Sequence, residues 1–253
     1  MTGKIAALYH HPIKGFTPQK VASAALSPGA AFPGDRLYAV EDGPSGFDPS
    51  APAWISKNRF AVLARVAEVA RAKTHYDVAT GVLEARADGR EAFSGRLHEP
   101  AAKALFADWL TNLLGEAARG PLRVVEGPGH RFLDDPEGHV SIINLASVRD
   151  FAHRLGREVD PLRFRANLYV DGWPAWAEND WTGRDLILGP VRARVIAQIT
   201  RCAAPDVDPA SAERDIAVTA GLHAHYGHML CGIYVHVTEG GEVVEGDPAS
   251  FAL

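Results

Sequence analysis

The stretch Asp185-Leu186-Ile187-Leu188-Gly189-Pro190-Val191-Arg192-Ala193-Arg194-Val195-Ile196-Ala197-Gln198-Ile199-Thr200-Arg201-Cys202 reads as two strand-like runs. Gly189-Pro190 punctuates them as a hairpin. The second run, Val191 to Ile199, delivers Thr200, Arg201 and Cys202 to a loop that continues into Ala203-Ala204-Pro205. An adjacent guanidinium favours a thiolate over a thiol, and a thiolate is both a nucleophile and a soft metal ligand. The other reading of Cys202 is a small buried apolar group. Cys231 fits that plainer reading, because Met229-Leu230-Cys231-Gly232-Ile233-Tyr234 has the pattern of core.

Outward from this hairpin, Asn167 to Val170 and Ile233 to Val237 are also strand-like, so the chain beyond Gly156 is mostly β. Ahead of it, Ile5 to Tyr9, Arg36 to Val40 after the turn Gly34-Asp35, Phe60 to Ala67 and Val82 to Ala87 have β character. Asp42 to Ala53 reads as an exposed loop and Asp77 to Gly81 as a separator. Two helices stand out. Ala101 to Leu114 carries Leu105, Phe106, Trp109, Leu110, Leu113 and Leu114 at helical spacing before Gly115, and should lie on a sheet. Leu145 to Leu155 has Asn144 as cap, Val148, Phe151, Ala152 and Leu155 on one face, and Gly156 as stop, directly after the strand Val140 to Ile143. Many short strands with few helices imply a closed or sandwich-like β-structure carrying a small α/β portion.

The 253 residues are 47% hydrophobic and 23% charged, which excludes disorder and allows one large or two small domains. Lys and Arg number 26 against 31 Asp and Glu, a net charge of −5, so a nonspecific nucleic-acid binder is disfavoured. The chain lacks a long apolar run and Met1-Thr2-Gly3-Lys4-Ile5 opens no signal sequence, so a cytoplasmic protein without membrane attachment is expected. Two cysteines make no disulfide framework. Dinucleotide, NTP-loop, serine-hydrolase and zinc-protease motifs are missing.

Some residues suggest chemistry. Arg165 and Asn167, two apart at a strand start, project to one face and suit an anionic, hydrogen-bonding ligand, unless Arg165 pairs with Glu178 or Asp180. Lys14 follows His11-Pro12-Ile13 in a turn, and Arg36 follows Gly34-Asp35. His223, His225 and His228 invite a metal site, against a His-rich solvated loop turning at Gly227.

Taken in order, Tyr9-His10-His11-Pro12-Ile13-Lys14-Gly15, Gly34-Asp35-Arg36, Phe164-Arg165-Ala166-Asn167, Ala177-Glu178-Asn179-Asp180-Trp181, Thr200-Arg201-Cys202 and Val207-Asp208-Pro209 resemble MOSC proteins with the N-terminal MOSC β-barrel region. That group includes the amidoxime-reducing component and its bacterial relatives. The resemblance runs from about Lys4 to Pro248. It implies a β-rich α+β fold in which a MOSC β-barrel (residues 119–253) interlocks with a smaller N-terminal α/β domain (residues 1–118). It implies the molybdenum cofactor, Mo-molybdopterin, as ligand, with Cys202 the protein ligand to molybdenum and the catalytic residue. Lys14, Gly15, Arg36, Arg165, Asn167, Thr200, Arg201 and Tyr234 fall in the cofactor-binding set. Gly15 stands where the family has a hydroxyl residue, so only its backbone N–H can serve, and Ala166 replaces a proline. Glu137, Gly138 and His139 do not match the family's contact positions, so nothing is carried over there.

The activity implied is reduction of small N-hydroxylated or N-oxide compounds, with electrons from a separate flavin, haem or iron–sulfur protein. A cofactor or sulfur carrier using Cys202 is the alternative, and a cysteine hydrolase pairing Cys202 with one of the eleven histidines is a third reading. Specificity is expected in loops Asp42 to Ala53 and Pro209 to His228, and Trp173, Trp176 and Trp181 either border a substrate mouth or seal a core edge.

Overall fold

The computed structural model describes residues 2–251. The chain opens with β1 (Thr2–His10), β2 (Gln19–Val21) and β3 (Ser23–Leu26), and then β4 (Ala39–Asp42). A meander follows, β5 (Lys73–Asp77), β6 (Val82–Arg86) and β7 (Phe93–Arg96), with helix α1 (Pro100–Leu114) against it, before β8 (Leu122–Val125) returns to pair with β4. The second half runs β9 (Val140–Asn144), α2 (Leu145–Leu155), β10 (Leu168–Asp171), β11 (Asp185–Leu188), β12 (Val191–Thr200), α3 (Val218–Tyr226), β13 (Leu230–Glu239), β14 (Gly241–Val244) and β15 (Pro248–Phe251).

Seven strands close into a barrel in the order β1-β10-β9-β13-β12-β11-β15, and back to β1. All neighbours are antiparallel except β9 and β10, which α2 connects as a parallel crossover. A barrel of this size has an interior just wide enough for side chains to fill. Here Ile5, Leu8, Ile142, Leu168, Val170, Leu188, Ile233 and Val235 are completely buried within it. Trp173 and Trp181 belong to the same core at 2% and 3% exposure, so these two seal the barrel and do not border a mouth. Because β1 sits between β10 and β15, and β3 pairs with β14, the first residues complete a barrel made otherwise from the second half. The fold is therefore β-rich α+β with interlocked halves.

A second core lies under α1, where Phe106, Leu110, Leu113 and Leu114 meet Phe16, Tyr76, Leu83 and Phe93. A third packs α2 and α3 on the outside of the barrel through Phe151, Val148, Leu222 and Cys231. Helix α2 has the expected limits: Asn144 accepts from the Ala146 N–H, and Gly156 stops it in the left-handed conformation. Among the described residues no helix is long and apolar enough to cross a membrane.

Several sequence expectations are corrected. Leu105 is 61% exposed, because a residue adjacent to Phe106 is turned about 100° away around a helix axis. Arg36 to Tyr38 form no strand: Arg36 has φ 45° and β4 begins at Ala39. Phe60 to Ala67 is irregular, held by one bridge from Phe60 to Glu41, and its apolar residues are buried as loop. The segment Pro209 to His228 is not all loop, since His223 and His225 ride on α3 with Gly227 as its cap. Among the described residues these histidines do not gather into a group able to hold a metal ion.

The turn after β1 is fixed by one buried carboxylate. Asp35, 1% exposed, accepts from the His11 backbone N–H (2.6 Å) and from Asn167 Nδ2 (3.1 Å), and pairs with the Arg36 guanidinium. The His11 ring lies 3.2 Å from the same carboxylate through Nδ1, while its Nε2 is buried without a partner. Burial, aided by the Arg36 charge, pushes the His11 pKa down to about 3, so the ring is neutral and donates from Nδ1. Burial opposes ionisation of Asp35 as well, but Arg36 and the bonds from His11 and Asn167 outweigh it and hold the carboxyl well below the ordinary carboxylate range.

Leu110→Ala should cost about 2–5 kcal/mol in urea unfolding, whereas Leu105→Ala should change stability by less than about 0.5 kcal/mol. The pH profile follows from Asp35 and His11. An unfolded histidine takes up a proton near pH 6.5 and the folded ring does not, so stability falls as pH drops from about 6.5 towards about 3. Asp35 adds a loss of the same sign below about pH 4. A urea midpoint that stays level between about pH 7 and about pH 4.5 would contradict the buried neutral ring.

Candidate functional site

A cavity of about 470 Å³ opens where the end of the barrel meets the irregular segments around Lys14, Lys57 and Asp134. Lys14, Gly15, Arg36, Arg165, Asn167, Thr200, Arg201, Cys202 and Tyr234 all line it, so the structure brings together every site residue expected from the sequence. Each arrives by a different route. Strand β12 ends at Thr200 and releases Arg201 and Cys202 into the wall, with Tyr234 from β13 beside them. Its pairing with β13 shifts register after Val195 and again after Gln198, which breaks the two-residue alternation just before the cavity.

Arg165 does not sit on a strand as its spacing suggested. It caps the short turn Pro161–Phe164 in the left-handed region, φ 54°, and β10 starts only at Leu168. Its NH1 donates to the Phe16 carbonyl (2.6 Å), while NH2 is buried with no partner. Among the described residues no carboxylate pairs with it: Glu178 instead accepts from Asn144 (2.7 Å) and Ser147 (2.6 Å). Burial and the nearby Arg36 charge push the Arg165 pKa down to about 10, still cationic at neutral pH. Arg36 reaches the Arg165 carbonyl through NH2 (3.3 Å), which ties the two cations into one wall.

Asn167 is engaged on every side. Its Oδ1 accepts from Ser141 Oγ (2.9 Å), and its Nδ2 donates to Asp35 and to the Tyr9 carbonyl (3.3 Å). It therefore fixes Ser141 in the cavity lining and Asp35 behind it. Gly15 has φ +89°, and a Cβ there would lie 3.0 Å from the Ala61 carbonyl oxygen, so the departure from a hydroxyl residue coincides with a close backbone approach.

The guanidinium of Arg201 is turned away from the neighbouring thiol. It donates from Nε to the Cys231 carbonyl (2.7 Å) and from NH1 to the Phe164 carbonyl (2.8 Å). Gly232 permits this packing, because a Cβ at its φ of +85° would lie 3.1 Å from Arg201 NH2 and 2.5 Å from the Ile142 carbonyl. The cation that interacts with Cys202 is Lys57, which the sequence did not single out. Burial would lower the Lys57 pKa, but Asp134 and the Cys202 sulfur raise it above the ordinary lysine value. Cys202 is partly exposed, unlike Cys231, whose thiol burial pushes up to about 12.

Asp134 is the second residue that sequence reasoning missed. Its carboxylate bridges Lys14 Nζ (2.5 Å) and Lys57 Nζ (3.0 Å) at the cavity. Burial alone would raise its pKa, yet the two ammonium groups hold it well below the ordinary carboxylate range. Lys14 is 4% exposed and also donates to the Phe132 carbonyl (2.8 Å). Its pKa is lowered by burial despite Asp134. The only sequence signal was an Asp134-Asp135 pair in a turn ahead of β9. His139 lines the cavity too, with Asp135 on its Nδ1 (2.7 Å) and Glu137 3.5 Å from its Nε2, and among the described residues no hydrogen bond joins it to Cys202. Trp176 lies outside the cavity, bonded to Asp150 (2.7 Å) against Tyr226.

Comparison with known proteins identifies this architecture. The MOSC domain model matches residues 129–250 and the MOSC N-terminal beta barrel domain model matches residues 2–117. A stretch of 143 residues, 54% of this chain and 20% of the relative, is 32% identical to the molybdenum cofactor sulfurase of Caenorhabditis elegans. Another of 68 residues, 27% of this chain and 20% of the relative, is 32% identical to mitochondrial amidoxime-reducing component 1 of Homo sapiens. These matches span about a fifth of the length of those relatives. The crystal structure of YUAD protein from Bacillus subtilis covers 100% of this chain and 98% of its own at 15% identity, with a TM-score of 0.46. The two matched models account for nearly the whole chain, which belongs to the MOSC family and carries the MOSC N-terminal β-barrel domain.

Proposed function

We propose that the cleft binds the molybdenum cofactor with Cys202 as protein ligand to the metal, and that the protein reduces small N-hydroxylated or N-oxide compounds. The observation that carries this reading is Arg165: a guanidinium whose NH2 is buried without a partner and that pairs with no carboxylate among the described residues, in a cavity that a thiol also lines. A buried cation left without a counter-charge is costly, and a phosphate-bearing ligand supplies that charge. The remaining donors fit the same group. Arg36 and Lys14 are cations for a phosphate, Gly15 allows close backbone approach, Thr200 and Tyr234 offer hydroxyls, and Cys202 is the soft ligand a thiophilic metal takes. A volume of about 470 Å³ lies within the range of small-molecule sites.

When bound, the cofactor would supply two-electron oxygen-atom chemistry. The protein's own residues have distinct tasks. Lys57 places an ammonium group beside the Cys202 sulfur. Arg36 and Arg165 bind and orient the phosphate end, and Asp35 with Asn167 hold the turn that presents Arg36. In the overall reaction the substrate N–O bond breaks and the oxygen leaves as water, which consumes two protons and two electrons. The electrons would come from a separate flavin, haem or iron–sulfur protein. Similarity to a molybdenum cofactor sulfurase supports a second reading, in which Cys202 carries the cofactor or a persulfide sulfur for delivery.

Protein expressed with cofactor supplied should contain molybdenum and reduce benzamidoxime with an artificial donor, and Cys202→Ala should lose both. Molybdenum without turnover on any N–O compound would defeat the reductase reading. Sulfane sulfur on Cys202 without bound pterin would favour delivery. Retention of metal and activity by Cys202→Ala would remove the ligand assignment. Arg165→Met should have opposite effects on two measurements. Cofactor retention should fall by about 10–100-fold, while the unloaded protein should unfold at equal or higher urea concentration, because an unpaired buried charge has been removed.

A further inference from the structure

We propose that the mouth of the cleft is a docking surface for an acidic electron-carrier protein, formed by Trp54, Arg59, Arg65 and Arg214. This rests on the reductase reading, which requires a separate donor. The chain carries a net charge of −5, yet exposed arginines without a carboxylate partner gather where the cavity opens. Arg59 and Arg65 flank the cavity-lining run Val62 to Ala64, and Arg65 donates to the Asn58 carbonyl (2.6 Å). Arg214 donates to the Leu63 carbonyl (2.7 Å) and to the Ala203 carbonyl (3.0 Å), so it spans the opening beside Cys202. Among the described residues these three arginines make no ion pair; Arg71, Arg90, Arg96 and Arg184 make none either, so what sets the three apart is their place beside the cavity-lining segments.

Of the acids on the same rim, Asp134 lies between Lys14 and Lys57, and Asp135 bonds to the His139 ring (2.7 Å). Trp54 completes the patch. It is 50% exposed, the one aromatic among the exposed large apolar side chains described, and its Nε1 donates to the carbonyl of cavity-lining Leu133 (3.2 Å). Trp and Arg are the side chains in which interface binding energy concentrates. Trp54, Arg59, Arg65 and Arg214 are not cavity-lining residues, so their charge and surface are directed at something larger than a ligand in the cleft. A positive face around the opening selects a negative partner and speeds its encounter in a salt-dependent way. Each substrate needs two electrons, so a one-electron carrier must dock, be oxidised and leave twice per turnover. A rim held by charge serves that exchange.

The test measures association of the cofactor-loaded protein with two acidic carriers, a plant-type ferredoxin and a flavodoxin, at low and high ionic strength. At least one should bind at low salt and weaken as salt rises. Arg59→Glu/Arg65→Glu should weaken that binding by about tenfold or more, and Trp54→Ala should also weaken it. Dithionite-driven turnover at high ionic strength, where exposed charges are screened, should be unchanged in these variants. Absence of binding to either carrier at low salt, or binding indifferent to charge reversal, overturns the docking surface. Salt-dependent binding by a protein that reduces no N–O compound with any donor sustains the surface and defeats the reductase reading instead.

Discussion

The buried carboxylate of Asp35 is the constraint on which the site depends. It receives the backbone of His11 from the end of the first strand, the amide of Asn167 from the approach to β10, and the guanidinium of its neighbour Arg36. Those groups come from as far as 132 residues away from Asp35 along the chain, and a charge this deeply buried is tolerated only when each oxygen is occupied. The same network makes the first residues inseparable from the barrel. β1 supplies one of the seven staves, and the turn after it places Arg36 and Lys14 against the opening at the end of β12. The cavity is thus a product of how the two halves interlock, and neither half contains it alone.

Much of this was legible in the sequence where local signals sufficed. The hairpin around Gly189-Pro190 places Cys202 at the end of β12, and α2 follows from its cap residue Asn144 and stop residue Gly156. Where backbone is held by distant partners, local pattern misled. Arg36 to Tyr38 and Phe60 to Leu63 are apolar-rich and buried, but their backbone bonds run to Phe132, Pro12 and Val40 instead of into a continuous ladder. A short buried apolar run is ambiguous by periodicity alone. Helix α3 was hidden because no side chain caps its start and its histidines suggested solvent.

The site shows the same division. Residues carried by distinctive short segments, such as Lys14, Arg36, Arg165 and Cys202, could be assembled into a common cavity by resemblance. Lys57 and Asp134 could not, since their contact joins loops 77 residues apart that carry no motif. Their effect on the chemistry is nonetheless direct. Cys202 was assigned an electrostatic partner by adjacency, Arg201, but the adjacent guanidinium is occupied by two carbonyls and the ammonium of Lys57 takes the position instead. Adjacency along a chain that leaves a strand does not bring side chains together, because successive side chains leave on opposite sides.

The distribution of counter-charges then determines where an anion is bound. Lys14 and Lys57 share Asp134, Arg36 has Asp35, and Arg201 is bound by carbonyl oxygens. Three of the cationic positions on the wall thus share two carboxylates, and a fourth is fixed by neutral acceptors. Arg165, half-buried at the cavity, combines a left-handed backbone with a buried guanidinium nitrogen that has no partner. A cavity with uniformly unpaired cations would attract any anion in any orientation. One that leaves a particular guanidinium nitrogen without an acceptor, and holds a thiol at another point of its lining, gives a bound anion a defined direction. A ligand that is negative at one end and metal-bearing at the other can satisfy both in only one orientation, and that asymmetry is the specificity built into the cleft.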